Sequence, residues 1–196
     1  MLKRLFDIIC SLIGIIILSP FLILISVFVA LGSRGGVFYI QQRVGKNGDD
    51  FSLFKFRTMH TGSDKKGLLT VGARDSRITG IGYFLRKYKL DELPQLFNVL
   101  FGTMSLVGPR PEVRKYVEMY NREQLKVLNV KPGITDYASI EYSNENEVLA
   151  KSSNPEETYI KVIMPHKLQL NLKYIADKNF TTDLKIIFLT FNKILS

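Results

Sequence analysis

The chain holds one cysteine, two histidines and no tryptophan in 196 residues. A single thiol, Cys10, excludes an internal disulfide and suits a reducing compartment. With only His60 and His166 beside it, no histidine or thiolate cluster of metal-binding spacing can form. There is no Gly-x-x-x-x-Gly-Lys-Ser/Thr loop and no Gly-x-Ser-x-Gly elbow, which removes P-loop and serine-hydrolase chemistry. Charge is also missing from one stretch. Ile8 to Leu31 is a run of 24 uncharged residues, 17 of them Leu, Ile, Val or Phe. The run is too long for the apolar part of a signal peptide, and no small-x-small cleavage site follows it.

As a straight helix the run reaches roughly 36 Å, more than the ~30 Å hydrocarbon core of a bilayer. Its apolar residues contribute on the order of −5 to −10 kcal/mol of insertion free energy. Lys3 and Arg4 precede it, and Arg34, Arg43 and Lys46 follow it. Basic flanks at both ends conflict with a spanning helix, because positive segments stay cytoplasmic. Near the middle stands Ser19-Pro20. The proline removes a backbone donor and kinks the helix, and the serine hydroxyl can satisfy the freed carbonyl. The pattern favours a re-entrant membrane helix kinked at Ser19 and Pro20, with a Pro-kinked spanning helix as the alternative. It divides the chain into a membrane helix, residues 1–33, and a cytoplasmic domain, residues 34–196.

The net charge of +9 is concentrated: Arg34 to Lys115 carries +8, whereas Tyr116 to the end is neutral. A basic block implies anionic partners such as lipid headgroups, nucleotide phosphates or nucleic acid. The fold class expected is α+β, predominantly helical. Val37 to Gln42 and Phe51 to Arg57 read as a β-hairpin around a Gly-rich turn. Thr61 to Arg74 reads as a mobile loop. Helical spacing runs from Arg77 to Lys89, and a second helix follows with Asp91 as its N-cap, Pro94 in its first turn and Gly102 closing it. A polar helix is expected over Glu112 to Leu128 and a surface loop over Glu141 to Glu157. Two further helices follow, one starting or broken near Pro165 and one capped by Thr181 or Thr182. The last presents Leu184, Ile187, Phe188, Phe191 and Leu195 on one face, for the membrane interface or for the core.

Carboxylates and basic residues are the chemistry that remains. Asp91 and Glu92 are adjacent, so on a helix they point about 100° apart and suit different roles. Arg86, Lys87 and Lys89 lie just upstream, and Arg110 stands in the stiff turn Gly108-Pro109-Arg110-Pro111. A carboxylate beside a phosphate repels it unless a divalent cation and arginines compensate. Spacing alone is satisfied equally by a cap and a residue that complements the helix dipole.

Three segments taken together are more specific. Lys55-Phe56-Arg57-Thr58-Met59, Leu90 to Leu100 and Gly102 to Pro111 resemble the bacterial sugar transferases, monotopic phosphoglycosyl transferases acting on polyprenyl phosphate. Lys3 to Asp7, Ser19-Pro20, Lys131 to Thr135 and Asp183 to Ile187 extend the resemblance over nearly the whole chain, in the short, minimal catalytic form. It implies that Asp91 is the nucleophile on a UDP-sugar, releasing UMP, and that Glu92 handles a proton or orients the acceptor phosphate. It also implies Mg²⁺ held with Asp91, and Arg86 and Arg110 on phosphate oxygens, with Lys55 and Arg57 as further phosphate candidates. The partners implied are a UDP-sugar donor, a polyprenyl phosphate acceptor and the lipid bilayer, with no nucleic acid. The setting implied is the bacterial inner membrane with the catalytic domain facing the cytoplasm, and a homo-oligomer is compatible with it. After Pro132-Gly133-Ile134-Thr135 this chain reads Asp136-Tyr137-Ala138-Ser139-Ile140-Glu141-Tyr142-Ser143 where many relatives read Gly-Trp-Ala-Gln-Val-Asn-Gly-Arg, which points to an altered donor specificity, as for a modified amino sugar. The competing reading is a membrane-tethered module that binds anionic lipid or nucleic acid without turnover. It explains the anchor and the basic block but has no use for Asp91-Glu92.

Overall fold

The computed structural model describes residues 2–63, 67, 69–72 and 75–195, the side chain of Leu195 excepted. Residues 64–66, 68, 73 and 74 of the expected loop lie outside the described residues. The first element is one helix, α1 (Leu2–Gly32), which continues through Pro20. Pro20 has no N–H for the Ile16 carbonyl four residues back. The Ser19 hydroxyl donates to that carbonyl instead, at 2.8 Å.

Buried residues on α1 are Asp7, Ser11, Leu22, Ile25 and Val29. Gly14, against Leu96, and Leu18 complete the same stripe at spacings of three and four. The other faces expose Ile9, Ile13, Ile17, Ile23, Leu24 and Phe28. A helix apolar all round yet covered on one stripe needs an apolar solvent for the rest. Both of its ends are tied to one body. Lys3 pairs with Asp183, Arg4 donates to the Val99 and Leu100 carbonyls, and Asp7 accepts from the Leu106 N–H. At the far end Arg57 donates to the carbonyls of Val29, Ser33 and Arg34.

The hairpin forms as expected, slightly longer, from β1 (Phe38–Val44) and β2 (Asp50–Phe56), with Phe38 opposite Phe56. Helix α2 (Gly80–Lys87) starts three residues later than the spacing predicts, because the Thr79 hydroxyl caps it by accepting from the Gly82 N–H. Arg77 is instead held by Asp75. Then comes a 3₁₀ turn, Leu90–Glu92, and α3 (Gln95–Phe101), closed by Gly102 at φ 90°. Asp91 is therefore not the N-cap of an α-helix. Pro94 cannot donate back to Leu90, so regular α-helix starts only at Gln95.

Strands β3 (Ser105–Val107) and β4 (Gly133–Thr135) pair in parallel, Ser105 opposite Gly133. Beyond β3 the chain presses against the start of β4: the Gly133 N–H donates to Pro109 and the Gly108 N–H to Thr135, both at 3.0 Å. A Cβ on Gly133 would lie 2.1 Å from the Gly108 nitrogen. Backbone cannot yield as a side chain does, so Gly133→Ala is expected to cost on the order of 3 kcal/mol. Thermal denaturation of the purified protein checks this.

The helix expected over Glu112 to Leu128 is instead α4 (Arg114–Val117) and a separate 3₁₀ segment, Gln124–Asn129. The Asn121 side chain accepts from the Gln124 N–H, a local turn that competes with helix continuation. The loop expected over Glu141 to Glu157 is also corrected. It folds into α6 (Glu145–Ala150) and α7 (Pro155–Thr158), preceded by α5 (Tyr137–Glu141), because Leu149 is buried and Asn154 caps α7. A π-helical segment, Tyr159–Ile163, leads into α8 (Met164–Asp177), which has Pro165 in its first turn. For α9 (Phe180–Leu195) the cap is Asn179, not Thr181 or Thr182, since its side chain accepts from the Thr182 N–H. Ile186 and Asp183 face inward, while Leu184, Phe188, Phe191 and Ile194 are exposed. Among the described residues the result is a mostly helical α+β fold with two small two-stranded sheets. One buried cluster, Phe56 and Leu85 with α1, packs against Leu90 and Leu93 at the turn that carries Asp91 and Glu92; another gathers around Tyr116, Tyr159 and Leu168.

Candidate active site

Lys89 sets the approach. It adopts φ 55°, ψ 20°, the left-handed conformation uncommon outside glycine, and turns the chain from α2 into Leu90–Glu92. Asp91 and Glu92 then occupy successive positions of a 3₁₀ turn, about 120° apart. Their environments differ as much as their directions.

Glu92 is fully engaged. Both its oxygens take the Arg110 guanidinium, with Nη1 to Oε2 at 3.0 Å and a second contact from Nη2 to Oε1, and Lys55 donates to Oε1 at 3.1 Å. Despite burial, Arg110 and then Lys55 hold its carboxyl well below the usual carboxylate range. The Arg110 guanidinium is held charged, chiefly by Glu92. Burial pushes Lys55 down despite that same neighbour. Lys55 is thus not a solvated strand residue; its side chain is 15% exposed and aimed at Glu92.

Asp91 is buried yet makes no hydrogen bond or ion pair among the described residues. Burial and then the neighbouring Glu92 charge raise its carboxyl pKa, against the attraction of Lys55, Arg86 and Lys89. Arg86, anchored to the Thr70 hydroxyl at 2.8 Å, has Asp91 as its strongest charge partner. Two adjacent carboxyls are thereby pushed in opposite directions, the signature of divided roles.

The structure thus brings Asp91, Glu92, Arg86, Arg110 and Lys55 together on one cleft of ≈ 1540 Å³. Arg57 touches that cleft too, but both its terminal nitrogens donate to carbonyls in the last turn of α1 and just beyond it, those of Val29, Ser33 and Arg34. On this placement Arg57→Ala should cost about 2 kcal/mol of stability with unchanged turnover per folded molecule. A raised donor KM in the folded variant would return Arg57 to the phosphate-binding set. Ser19 and Pro20 stay in α1.

Two residues that matter here were not singled out as site residues from sequence. Asp136, fully buried, accepts the Arg110 N–H at 2.9 Å and the Ser139 N–H at 2.6 Å, so it caps α5 and fixes the Arg110 turn at once. Its signal was an Asp between a strand and a helical segment. Arg43 donates to the Pro111 carbonyl and to Glu112, tying the hairpin to the same turn. Nothing in its spacing announced this.

The donor set fits a divalent cation only in part. Among the described residues no three His, Cys, Asp or Glu side chains come together. Asp91 offers one free carboxylate beside a basic cleft, which suits Mg²⁺ bound mainly by substrate phosphates and water.

The sequence profile of a family described as "Bacterial sugar transferase" matches residues 1–196. The chain is 36% identical over 198 residues to a UDP-N-acetylgalactosamine-undecaprenyl-phosphate N-acetylgalactosaminephosphotransferase of Aeromonas hydrophila, covering 100% of this chain and 44% of that protein. It is 39% identical over 192 residues to a UDP-glucose:undecaprenyl-phosphate glucose-1-phosphate transferase of Klebsiella pneumoniae, covering 96% of this chain and 39% of that protein. These two relatives are thus more than twice as long as the part they share with this chain. An uncharacterized sugar transferase of Bacillus subtilis, EpsL, is 37% identical over 99% of this chain and 87% of its own length. With a profile matched from end to end and the Asp-Glu and Pro-Arg-Pro segments converging on one cleft, the chain belongs to the bacterial sugar transferase family.

Proposed function

We propose that the protein transfers a sugar-1-phosphate from a UDP-sugar to undecaprenyl phosphate through a covalent aspartyl intermediate. The observation that carries this is the contrast at the dyad: Asp91 unpartnered on the cleft, Glu92 locked between Arg110 and Lys55. An Asp91 oxygen attacks the sugar-linked phosphorus, the bond from that phosphorus to the bridging oxygen of the diphosphate breaks, and UMP leaves carrying the bridging oxygen. An oxygen of the acceptor phosphate then attacks the same phosphorus, the aspartyl bond breaks, and polyprenyl-diphosphate-sugar departs. Splitting the transfer into two displacements is the gain of covalent catalysis. Arg86 binds phosphate oxygens beside Asp91. Arg110, oriented by Asp136 and Glu92, presents a fixed positive charge to the diphosphate. Glu92, held ionised, orients Arg110 and Lys55. Asp91 would be the protein's ligand to Mg²⁺, and the ion when bound would supply further charge neutralisation.

Membrane association follows from the exposed faces of α1. The same domain holds both ends of α1, at Lys3–Asp7 and at Val29–Arg34, which supports a re-entrant course with both basic ends on the cytoplasmic face of the inner membrane. The exposed face of α9 suits the interface beside it.

The test is nucleotide release by purified protein with Mg²⁺, undecaprenyl phosphate and a panel of UDP-sugars. Lipid-dependent UMP supports the proposal. UDP would indicate simple glycosyl transfer, and no nucleotide at all would favour the binding-module reading.

A further inference from the structure

On the side of α5, α6 and α8 the same cleft is lined by Ser139, Tyr142, Glu145, Lys167 and Asn171. Three of these have settled partners. Tyr142 bonds His166 at 2.7 Å, and Lys167 pairs with Glu145 at 2.7 Å. The other two do not. Asn171 is 5% exposed and its Oδ1 has no hydrogen-bond partner among the described residues. The Ser139 hydroxyl is equally shielded from solvent and equally unpartnered.

A buried acceptor left unpaired costs about 1–3 kcal/mol, and native proteins keep few such groups without a use. Both atoms belong to helices that pack on each other, α5 and α8. The wall around them is apolar, formed by the buried Ala138, Met164 and Leu168, which also border the cleft. An acceptor without a donor, a hydroxyl without a partner and an apolar wall together complement one substituent. An acetamido group supplies an N–H for Asn171 Oδ1, a carbonyl for the Ser139 hydroxyl and a methyl for the wall. A sugar hydroxyl at the same carbon can donate and accept through its one oxygen, but it is shorter than an acetamido group and brings no methyl to the wall.

We infer that this end of the cleft is the donor-sugar pocket and that it selects acetamido sugars through Asn171 and Ser139. The inference rests on the reading of the cleft as a UDP-sugar site. It also gives the departure at residues 136–143 a physical content. Asp136 fixes the Arg110 turn and, through the cap of α5, places Ser139 in the pocket.

The experiment measures kcat/KM for UMP release in the full-length protein with Mg²⁺ and undecaprenyl phosphate. The donors are UDP-N-acetylglucosamine, UDP-N-acetylgalactosamine, a UDP-diacetamido-trideoxyhexose, UDP-glucose and UDP-galactose. Wild type should prefer an acetamido donor over its hydroxyl counterpart by at least about 10-fold. Asn171→Leu, of similar volume, should cut that ratio roughly 10-fold or more, mostly through KM. Ser139→Ala, which removes one oxygen and changes no shape, should cut it about 3-fold or more and serves if Asn171→Leu does not fold. A wild-type preference for UDP-glucose or UDP-galactose, or a ratio unmoved in the folded variants, overturns the pocket assignment while leaving transfer intact. Release of no UMP from any donor overturns the transfer reading itself, and the pocket with it.

Discussion

Asp91→Asn should lower lipid-dependent UMP release by at least about 10³-fold while the protein remains folded and membrane-bound. The size follows from its role. An amide oxygen is a far weaker nucleophile than a carboxylate, and losing the covalent route forfeits the whole gain of two-step transfer. The accompanying stability change should have the opposite sign to most substitutions of buried polar residues. Asp91 has no partner to lose among the described residues, and burial with Glu92 raises its pKa above that of the unfolded chain. At pH above the unfolded value, ionising Asp91 is more favourable in the unfolded chain than in the folded one, so the charge opposes folding. Asp91→Asn should therefore melt no lower than wild type at pH 7. The pH profile carries the same sign. Activity needs ionised Asp91, so as pH falls it should be lost earlier than an ordinary aspartate, pKa about 3.9, would dictate. A variant that melts well below wild type, or that retains a tenth of the activity, contradicts this assignment.

Glu92→Ala should have the opposite balance, with a large loss of stability as well as of rate. It removes the shared partner of Arg110 and Lys55 and leaves two cations facing each other across the space Glu92 filled. Breaking one side of a buried ion pair costs about 3–5 kcal/mol, and the low end applies here because the Arg110 side chain keeps 32% exposure. The sign with pH is the reverse of that at Asp91. Glu92 has its pKa held down in the folded state, so its contribution is present above the unfolded value of about 4.3 and is lost as pH falls towards the folded one. Activity should drop at least about 100-fold because Arg110 loses its orientation, and Glu92→Gln should recover part of the stability but little of the rate. Denaturation and kinetics on the same preparations separate the two effects.

What was legible in the sequence was what local chemistry decides. An uncharged run needs an apolar surrounding, and a Ser-Pro pair inside it both breaks and repairs one hydrogen bond, as Ser19 and Ile16 do. Alternating apolar residues around a Gly-Asn turn gave the hairpin to within two residues. What was not legible depended on partners distant in sequence. Polar stretches such as Glu145–Ala150 are helical because Leu149 finds the Tyr159 and Leu168 cluster, a contact that no local spacing announces. In the site, Asp91, Glu92, Arg86, Arg110 and Lys55 were named beforehand, but their division was not. That Arg110 and Lys55 face Glu92 while Asp91 stays unpaired is set by how β2 and the turn after β3 meet the 3₁₀ turn. Asp136 was noted only for departing from its relatives' pattern; its hold on the Arg110 turn was not legible for the same reason, since that bond reaches back 26 residues.

The most direct test of the central claim is the mass of the protein after incubation with Mg²⁺ and a donor it uses, with the lipid acceptor withheld. The account predicts UMP release in near-stoichiometric amount and an adduct of one sugar phosphate on the peptide carrying Asp91, absent in Asp91→Asn and discharged by undecaprenyl phosphate. An unmodified Asp91, with UMP appearing only when acceptor is present, would contradict it.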